Sequence, residues 1–274
     1  MKRLLPLLAL AALVSTLAAC GGGGGGSDNT ATTGAASSVP NPIVFCVDTT
    51  YPPAESLVNG KPQGYDIDIA NAVAKQLGST AQIKVTGFTV IIPALVHKKC
   101  NAIISSMTIT PERSKVVAFA PYITVGQFLM VKKGNPDKIS TLASLSGKSA
   151  AVQSSTTELA ALTAENKTLQ KQGKPQITIK QYPADTSAAQ ALIHGHVSAY
   201  FADATPVLYY VRTTGGKFET AGKQIAIAPE GIATRKGDPL GPKINNAIQA
   251  LYLNGKMKSI LAKWQASQFA LKGK

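Results

Sequence analysis

Short, unbroken apolar runs alternate along the chain with stretches whose apolar residues recur every three or four positions. Ile43-Val44-Phe45-Cys46-Val47 is continuous and β-branched, the pattern of a parallel strand covered on both faces. Over residues 66–77, Ala70, Val73, Ala74 and Leu77 fall on one helical face, and Gly78 follows as a left-handed C-cap. The alternation continues with a strand at 83–85, a helix over 89–98 carrying Pro93, and a strand at 102–105. Thr110-Pro111-Glu112-Arg113 starts another helix, with Thr as N-cap and Pro at the first helical position. Further strands are predicted at 128–131, 149–152, 177–182 and 199–202, and helices at 156–172, 185–194, 206–213, 244–253 and 257–270. Such alternation predicts an α/β fold with mostly parallel sheets. Ligands of such sheets bind beyond the carboxyl ends of the strands, where Asp48, residues 105–108, residues 154–157 and Asp203 stand.

The first forty residues follow a different pattern. Lys2 and Arg3 precede an apolar run ending in Leu17-Ala18-Ala19-Cys20. That is an export signal, residues 1–19, closing in what looks like a bacterial lipobox with Cys20 as the lipidated residue. Gly21 to Gly26 and the Ser/Thr/Ala stretch after it read as a flexible linker over 20–39. The expected product is an exported lipoprotein, periplasmic or at the cell surface, tethered to the membrane. No later run reaches the ~18 apolar residues of a spanning helix, so the rest is expected to be soluble.

Composition narrows the chemistry. The chain of 274 residues is 45% hydrophobic and 15% charged, enough apolar content to exclude a disordered protein. Its formal charge of +14 comes from Lys spread singly or in pairs, with no run longer than two. That dispersal reads as a solvated basic surface, not a nucleic-acid patch. Cys46 and Cys100, each in or beside an apolar run, read as small buried hydrophobes, with a disulfide as the alternative in an exported protein. There is no phosphate-binding Gly loop and no Gly-x-Ser-x-Gly elbow. His194 and His196 read as a helix cap and a surface residue, so neither cofactor nor metal is expected. Asp66 and Asp68 read as acids opposing a helix dipole.

Three strand ends carry the binding chemistry. Ser105-Ser106-Met107-Thr108 leads to Arg113, whose guanidinium can grip a carboxylate with two parallel bonds. Ser154-Ser155-Thr156-Thr157-Glu158 opens a second helix, with Ser155 and Glu158 at capping-box spacing and an anion-binding N-terminus. Asp203 supplies a carboxylate at the third. An anion grip facing a carboxylate is a clamp for a zwitterion.

Gly64-Tyr65-Asp66-Ile67-Asp68-Ile69, Met107-Thr108-Ile109-Thr110-Pro111-Glu112-Arg113 with Phe119-Ala120-Pro121-Tyr122, Gly195 through Asp203, and Gly255 with Trp264 together resemble the family 3 extracellular solute-binding proteins. These are the polar amino acid receptors of bacterial ABC importers, and the similarity covers roughly residues 42–270. The resemblance implies a type II two-lobe fold, each lobe a mostly parallel sheet flanked by helices, with two hinge crossings near 125–127 and 226–227. Lobe 1 would comprise 40–124 and 228–274, and lobe 2 128–224. It implies that Arg113 and the amides of Thr108 and Thr157 take the ligand α-carboxylate. Asp203, the Thr108 hydroxyl and the Ser106 carbonyl would take the ammonium, beside Ser105. Tyr51 and Phe88 would sandwich the side chain, which Asp48 would read, unless Asp48 only braces the Pro52-Pro53 loop. Ala54 stands where the family usually has Phe and is expected to widen the pocket; Ser155 stands where Gly is common. The implied partners are an L-amino acid, basic more than glutamine, and the ABC permease membrane subunits, served by a monomer. The alternative is a dehydratase-type enzyme on the same scaffold, with Asp48 or Glu55 as its acid.

Overall fold

A computed structural model describes residues 39–273; the signal, the Cys20 lipidation site and nearly all of the linker lie outside the described residues. The first half opens with β1 (Ile43–Val47), β2 (Thr50–Tyr51), β3 (Glu55–Val58), β4 (Lys61–Gln63), α1 (Tyr65–Gln76) and β5 (Ala81–Val85). It continues through α2 (Phe88–Val96), β6 (Ala102–Ile103), α3 (Pro111–Val116) and β7 (Val117–Lys132). Then come β8 (Ser149–Gln153), α4 (Thr157–Lys171), β9 (Thr178–Tyr182), α5 (Asp185–Ile193), β10 (Ala199–Asp203) and α6 (Ala204–Thr213). β11 (Phe218–Arg235), α7 (Leu240–Leu253) and α8 (Lys256–Lys263) return the chain to the first half.

Eight strands form one sheet in the order β5-β1-β6-β11-β7-β10-β8-β9, and β2-β3-β4 form a small antiparallel sheet. β1 pairs in parallel with β5 and β6, and β8 with β9 and β10. Those are the two lobes of a type II binding-protein fold. Strict alternation buries both faces of each. Ile43, Phe45 and Val47 of β1 face the core beneath α1, α7 and α8, while Cys46 faces α2. In β10, Ala199 and Phe201 join one cluster with Ala150 and Val152 of β8, and Tyr200 and Ala202 join the opposite one with Ala151.

The connection between lobes is longer than the sequence pattern predicts. β7 and β11 run antiparallel through both lobes as strands of 16 and 18 residues, not as a strand at 128–131 and a short crossing. Their ladder shifts register between Ala221 and Ile225 and again between Ile225 and Ala228, and Ala226 has φ +49°. The expected last helix stops at Lys263, with a 3-10 turn at Ser267–Phe269.

Two local expectations are overturned. Cys46 and Cys100 are joined in a disulfide, not held as separate thiols. β1 and β6 lie side by side, and Cys100, just ahead of β6, comes within a Cα–Cα distance of 5.7 Å of Cys46. Ser155 and Glu158 do not form a capping box. Thr156 is the N-cap of α4, its hydroxyl accepting from Leu159 N, because Ser155 takes φ +65° one residue too early.

Candidate functional site

All nine expected binding residues, Asp48, Tyr51, Phe88, Ser105, Ser106, Thr108, Arg113, Thr157 and Asp203, line one cavity. Glu55, Gln153, Thr156 and Glu158 complete its wall. Among these residues Arg113 is the one base against four acids, so a strongly basic protein encloses an acidic pocket. Ala54 is buried in the core and not part of the wall, so the room expected from it is not there.

The strand ends aim these groups. Asp48 follows β1, its amide donating to Ser105 Oγ (3.0 Å), which in turn donates to Glu55 Oε1 (2.8 Å). Asp48 Oδ2 accepts from Phe88 N (3.2 Å) and from Gln153 Nε2 (2.7 Å) across the cleft, so the carboxylate holds the loop at Phe88 as well as facing the cavity. Burial pushes the Asp48 carboxyl up, opposed by hydrogen bonds from Thr50, Gln153 and Phe88.

Beneath the cavity lies a layer of buried acids. Asp66, fully buried at the start of α1, accepts from Ser106 N (2.8 Å) and so positions the loop that carries Ser106, which has φ +39°. Gly64 makes this junction possible: it has φ +140°, and a Cβ there would lie 1.8 Å from Ala54 O. Tyr65 N and Asp66 N can then donate to Pro53 O (3.2 Å) and Ala54 O (3.0 Å). Burial holds Asp66 at about 6 and Glu55 well above the carboxylate range, with Asp66 adding to the push on Glu55. Asp68 instead receives Trp264 Nε1 (2.7 Å) and Lys263 Nζ (2.8 Å), tying α1 to the end of α8.

Arg113 sits in α3, started as expected by the Thr110 hydroxyl accepting from Arg113 N (3.2 Å) with Pro111 behind it. Its Nη1 donates to Thr108 O (2.8 Å) and its Nη2 to Ser155 O (3.2 Å), and its Cζ lies 5.4 Å from the Phe88 ring centroid. Burial lowers its pKa, against the pull of Glu158, Asp203 and Glu230. The left-handed Ser155 turns its carbonyl to this guanidinium, and that conformation accounts for a position where glycine is common. At the end of β10, Asp203 Oδ2 accepts from Tyr51 OH (2.8 Å), and the Tyr51 phenol oxygen in turn accepts from Asp203 N (3.1 Å). Tyr51 is therefore a hydrogen-bonding group here as well as an aromatic face. The bonds Tyr51–Asp203, Gln153–Asp48, Arg113–Ser155 and Asp185 N to Thr50 Oγ1 (3.1 Å) all cross the cleft.

Gln153 and Glu158 were not singled out as binding residues from the sequence. Gln153, the last residue of β8, obeys the strand-end rule and was legible in principle. The capping-box spacing of Ser155 and Glu158 hides Glu158, because it assigns that carboxylate to the helix start and not to the cavity.

Residues 43–267 match the model of the bacterial extracellular solute-binding proteins, family 3. The chain belongs to this family. As a family 3 solute-binding protein it is 32% identical over 241 residues to the ABC transporter arginine-binding protein 1 of Escherichia coli K12, covering 83% of this chain and 92% of that one. An ancestral arginine-binding protein solved with glutamine is 34% identical, with a TM-score of 0.75 over 83% of this chain and 99% of its own. An ancestral amino acid-binding protein described as a precursor of cyclohexadienyl dehydratase is 33% identical, with a TM-score of 0.74 over 82% of this chain and 95% of its own. Solute-binding proteins of this family work outside the cytoplasm, which agrees with an exported chain. No helix among the described residues is long and apolar enough to cross a membrane.

Proposed function

We propose that this solute-binding protein captures a basic L-amino acid between its lobes and delivers it, unchanged, to the membrane subunits of an ABC importer, acting as a monomer held at the membrane by a lipid on Cys20. The observation that carries the reading is Arg113 facing Asp203 across one cavity, with Asp48 at a third position in its wall. The ligand carboxylate takes the two guanidinium donors now engaged by the carbonyls of Thr108 and Ser155, with the Thr108 and Thr157 amides beside them. Its ammonium goes to Asp203, and its cationic side chain, between Tyr51 and Phe88, to Asp48. The hinge is the irregular stretch of β7 and β11, and the two lobes close over the ligand as a population shift.

Calorimetry on Asp48→Asn tests the ligand class. Truncating one partner of a buried charge pair costs roughly 3–5 kcal/mol, so arginine, lysine and histidine are expected to bind at least about a hundred-fold more weakly. Glutamine, which needs only a hydrogen bond, is spared. Tight binding of glutamate by the wild type would overturn the reading, because Asp48 would face a like charge. For the anchor, Cys20→Ala is expected to abolish fatty-acid labelling and detergent partition; equal partition of the variant would refute lipidation.

A second reading has one observation in its favour. Glu55 lines the cavity with its carboxyl held protonated well above the usual range, which is what a dehydratase requires of a general acid. Turnover of prephenate-like acids by the wild type, lost in Glu55→Gln, would decide for it.

A further inference from the structure

Gln127 is a buried polar residue for which binding of an amino acid, as set out so far, has no use. It stands where the β7–β11 ladder is broken, paired with Ile225 along one edge and with Asp203 of β10 along the other. Its side chain is buried, 3% exposed. Nε2 donates to Thr157 Oγ1 (2.9 Å), while Oε1 is buried without a hydrogen-bond partner among the described residues. The Thr157 hydroxyl gives its own proton to Glu158 Oε2 (3.1 Å), so it has only an acceptor to offer Gln127, and the amide is fixed with its nitrogen toward α4. For stability alone this is a poor arrangement. An apolar side chain of the same length would avoid desolvating an oxygen that then goes unpaired.

We propose that Gln127 is a positioning residue for the ligand: it fixes the Asp203 carboxylate and the Thr157 amide relative to each other and ties both to the pivot between the lobes. The proposal rests on the amino-acid reading given above. In that reading Asp203 takes the ligand ammonium and the Thr157 amide takes the carboxylate, so these two groups are the share of the zwitterion clamp held by the lobe of β8, β9 and β10. They come from different elements, the end of β10 and the first turn of α4. Gln127 is the residue that meets both. Its backbone pairs with Asp203, and its side chain holds the Thr157 hydroxyl, whose only other described partner is Glu158. Thr157 is half-buried, and the cap of α4 is made by its neighbour Thr156, so the bond from Gln127 is not needed to start the helix. Because the Gln127–Ile225 pair is also the one pair inside the broken stretch, a turn at the pivot carries both ligand contacts as one piece.

The test sets affinity against stability in the full chain, by titration calorimetry with L-arginine and scanning calorimetry of the ligand-free protein. Gln127→Met keeps the length of the side chain and removes the amide. Arginine affinity is expected to fall about two- to ten-fold, the net worth of one hydrogen bond. The melting temperature is expected to stay level or rise, because the unpaired Oε1 is gone and the half-buried Thr157 hydroxyl keeps its bond to Glu158. A residue that served only to hold the fold together would lower both. Thr157→Val removes the same bond from its other end and is expected to weaken arginine by the same factor. Adding Gln127→Met to Thr157→Val is then expected to cost no further affinity. Unchanged affinity in Gln127→Met, a lower affinity joined to a lower melting temperature, or an undiminished loss in the Thr157→Val background overturns the proposal. Failure of the wild type to bind any amino acid would instead overturn the amino-acid reading, and this inference with it; tight wild-type binding that neither variant weakens overturns this inference alone.

Discussion

Replacing Arg113 with glutamine is expected to weaken L-arginine binding by roughly thirty-fold to several thousand-fold in titration calorimetry. The guanidinium is the one base in a cavity walled by Asp48, Glu55, Glu158 and Asp203, and its two donors already point together at neighbouring carbonyl oxygens. Truncating one partner of a buried, hydrogen-bonded charge pair costs about 2–5 kcal/mol, and each 1.4 kcal/mol is about tenfold. Without the arginine, a ligand carboxylate would also enter a pocket of acids with nothing to offset them. Arg113→Lys keeps the charge but loses the planar fork, so an intermediate loss is expected. Affinity unchanged in both variants would mean that the carboxylate is held elsewhere.

Breaking the Cys46–Cys100 disulfide is expected to lower the melting temperature by on the order of 10 °C. The cysteines are 54 residues apart in sequence. Releasing a loop of that length restores roughly 4 kcal/mol of chain entropy to the unfolded state, and about 1 kcal/mol moves the melting point of a domain this size by ~2–4 °C. Cys46 is fully buried against α2, so Cys46→Ser also leaves a hydroxyl in an apolar cluster. Cys100 is buried in the same cluster, so Cys100→Ser carries the same penalty, and reduction of the wild type isolates the loop effect. Scanning calorimetry of the wild type with and without reductant, beside Cys100→Ser, measures it; coincident melting of all three would show that the link contributes nothing.

The sequence was legible where local pattern and tertiary fate agree. β1 reads as a buried parallel strand because both its faces are covered, and α1 as a helix because one face packs under α7 and α8. The Thr110-Pro111 start of α3 is a purely local device and lies where it was expected. β11 was illegible for the opposite reason. Its middle, Lys223 to Ala228, is mostly exposed, with Ile225 and Ile227 outside the core, and Gly222, Pro229 and Gly231 interrupt it; only long-range pairing with β7 makes it a strand. The nine binding positions were reached through strand ends and family resemblance, and they do share one cavity. What pattern could not reach was partnership across the cleft. That Tyr51 hydrogen-bonds Asp203, 152 residues away, or that Gln153 reaches Asp48, 105 residues away, follows from the meeting of the two lobes and not from any local spacing.

The broken stretch of the β7–β11 ladder has a mechanical consequence. Pairing covers positions 117–125 of β7 against 228–235 of β11, with one shift between Glu230 and Gly231, and 129–132 against 218–221, with only the Gln127–Ile225 pair between the two blocks. A twist taken up at residues 222–227 leaves both blocks of pairing whole, so each lobe can turn as a rigid body while its own backbone bonds stay made. The resistance to opening then comes from the few side-chain bonds spanning the cleft, which are the bonds a ligand replaces. Stiffness along the strands and compliance at one point let the same two segments act as girder and pivot.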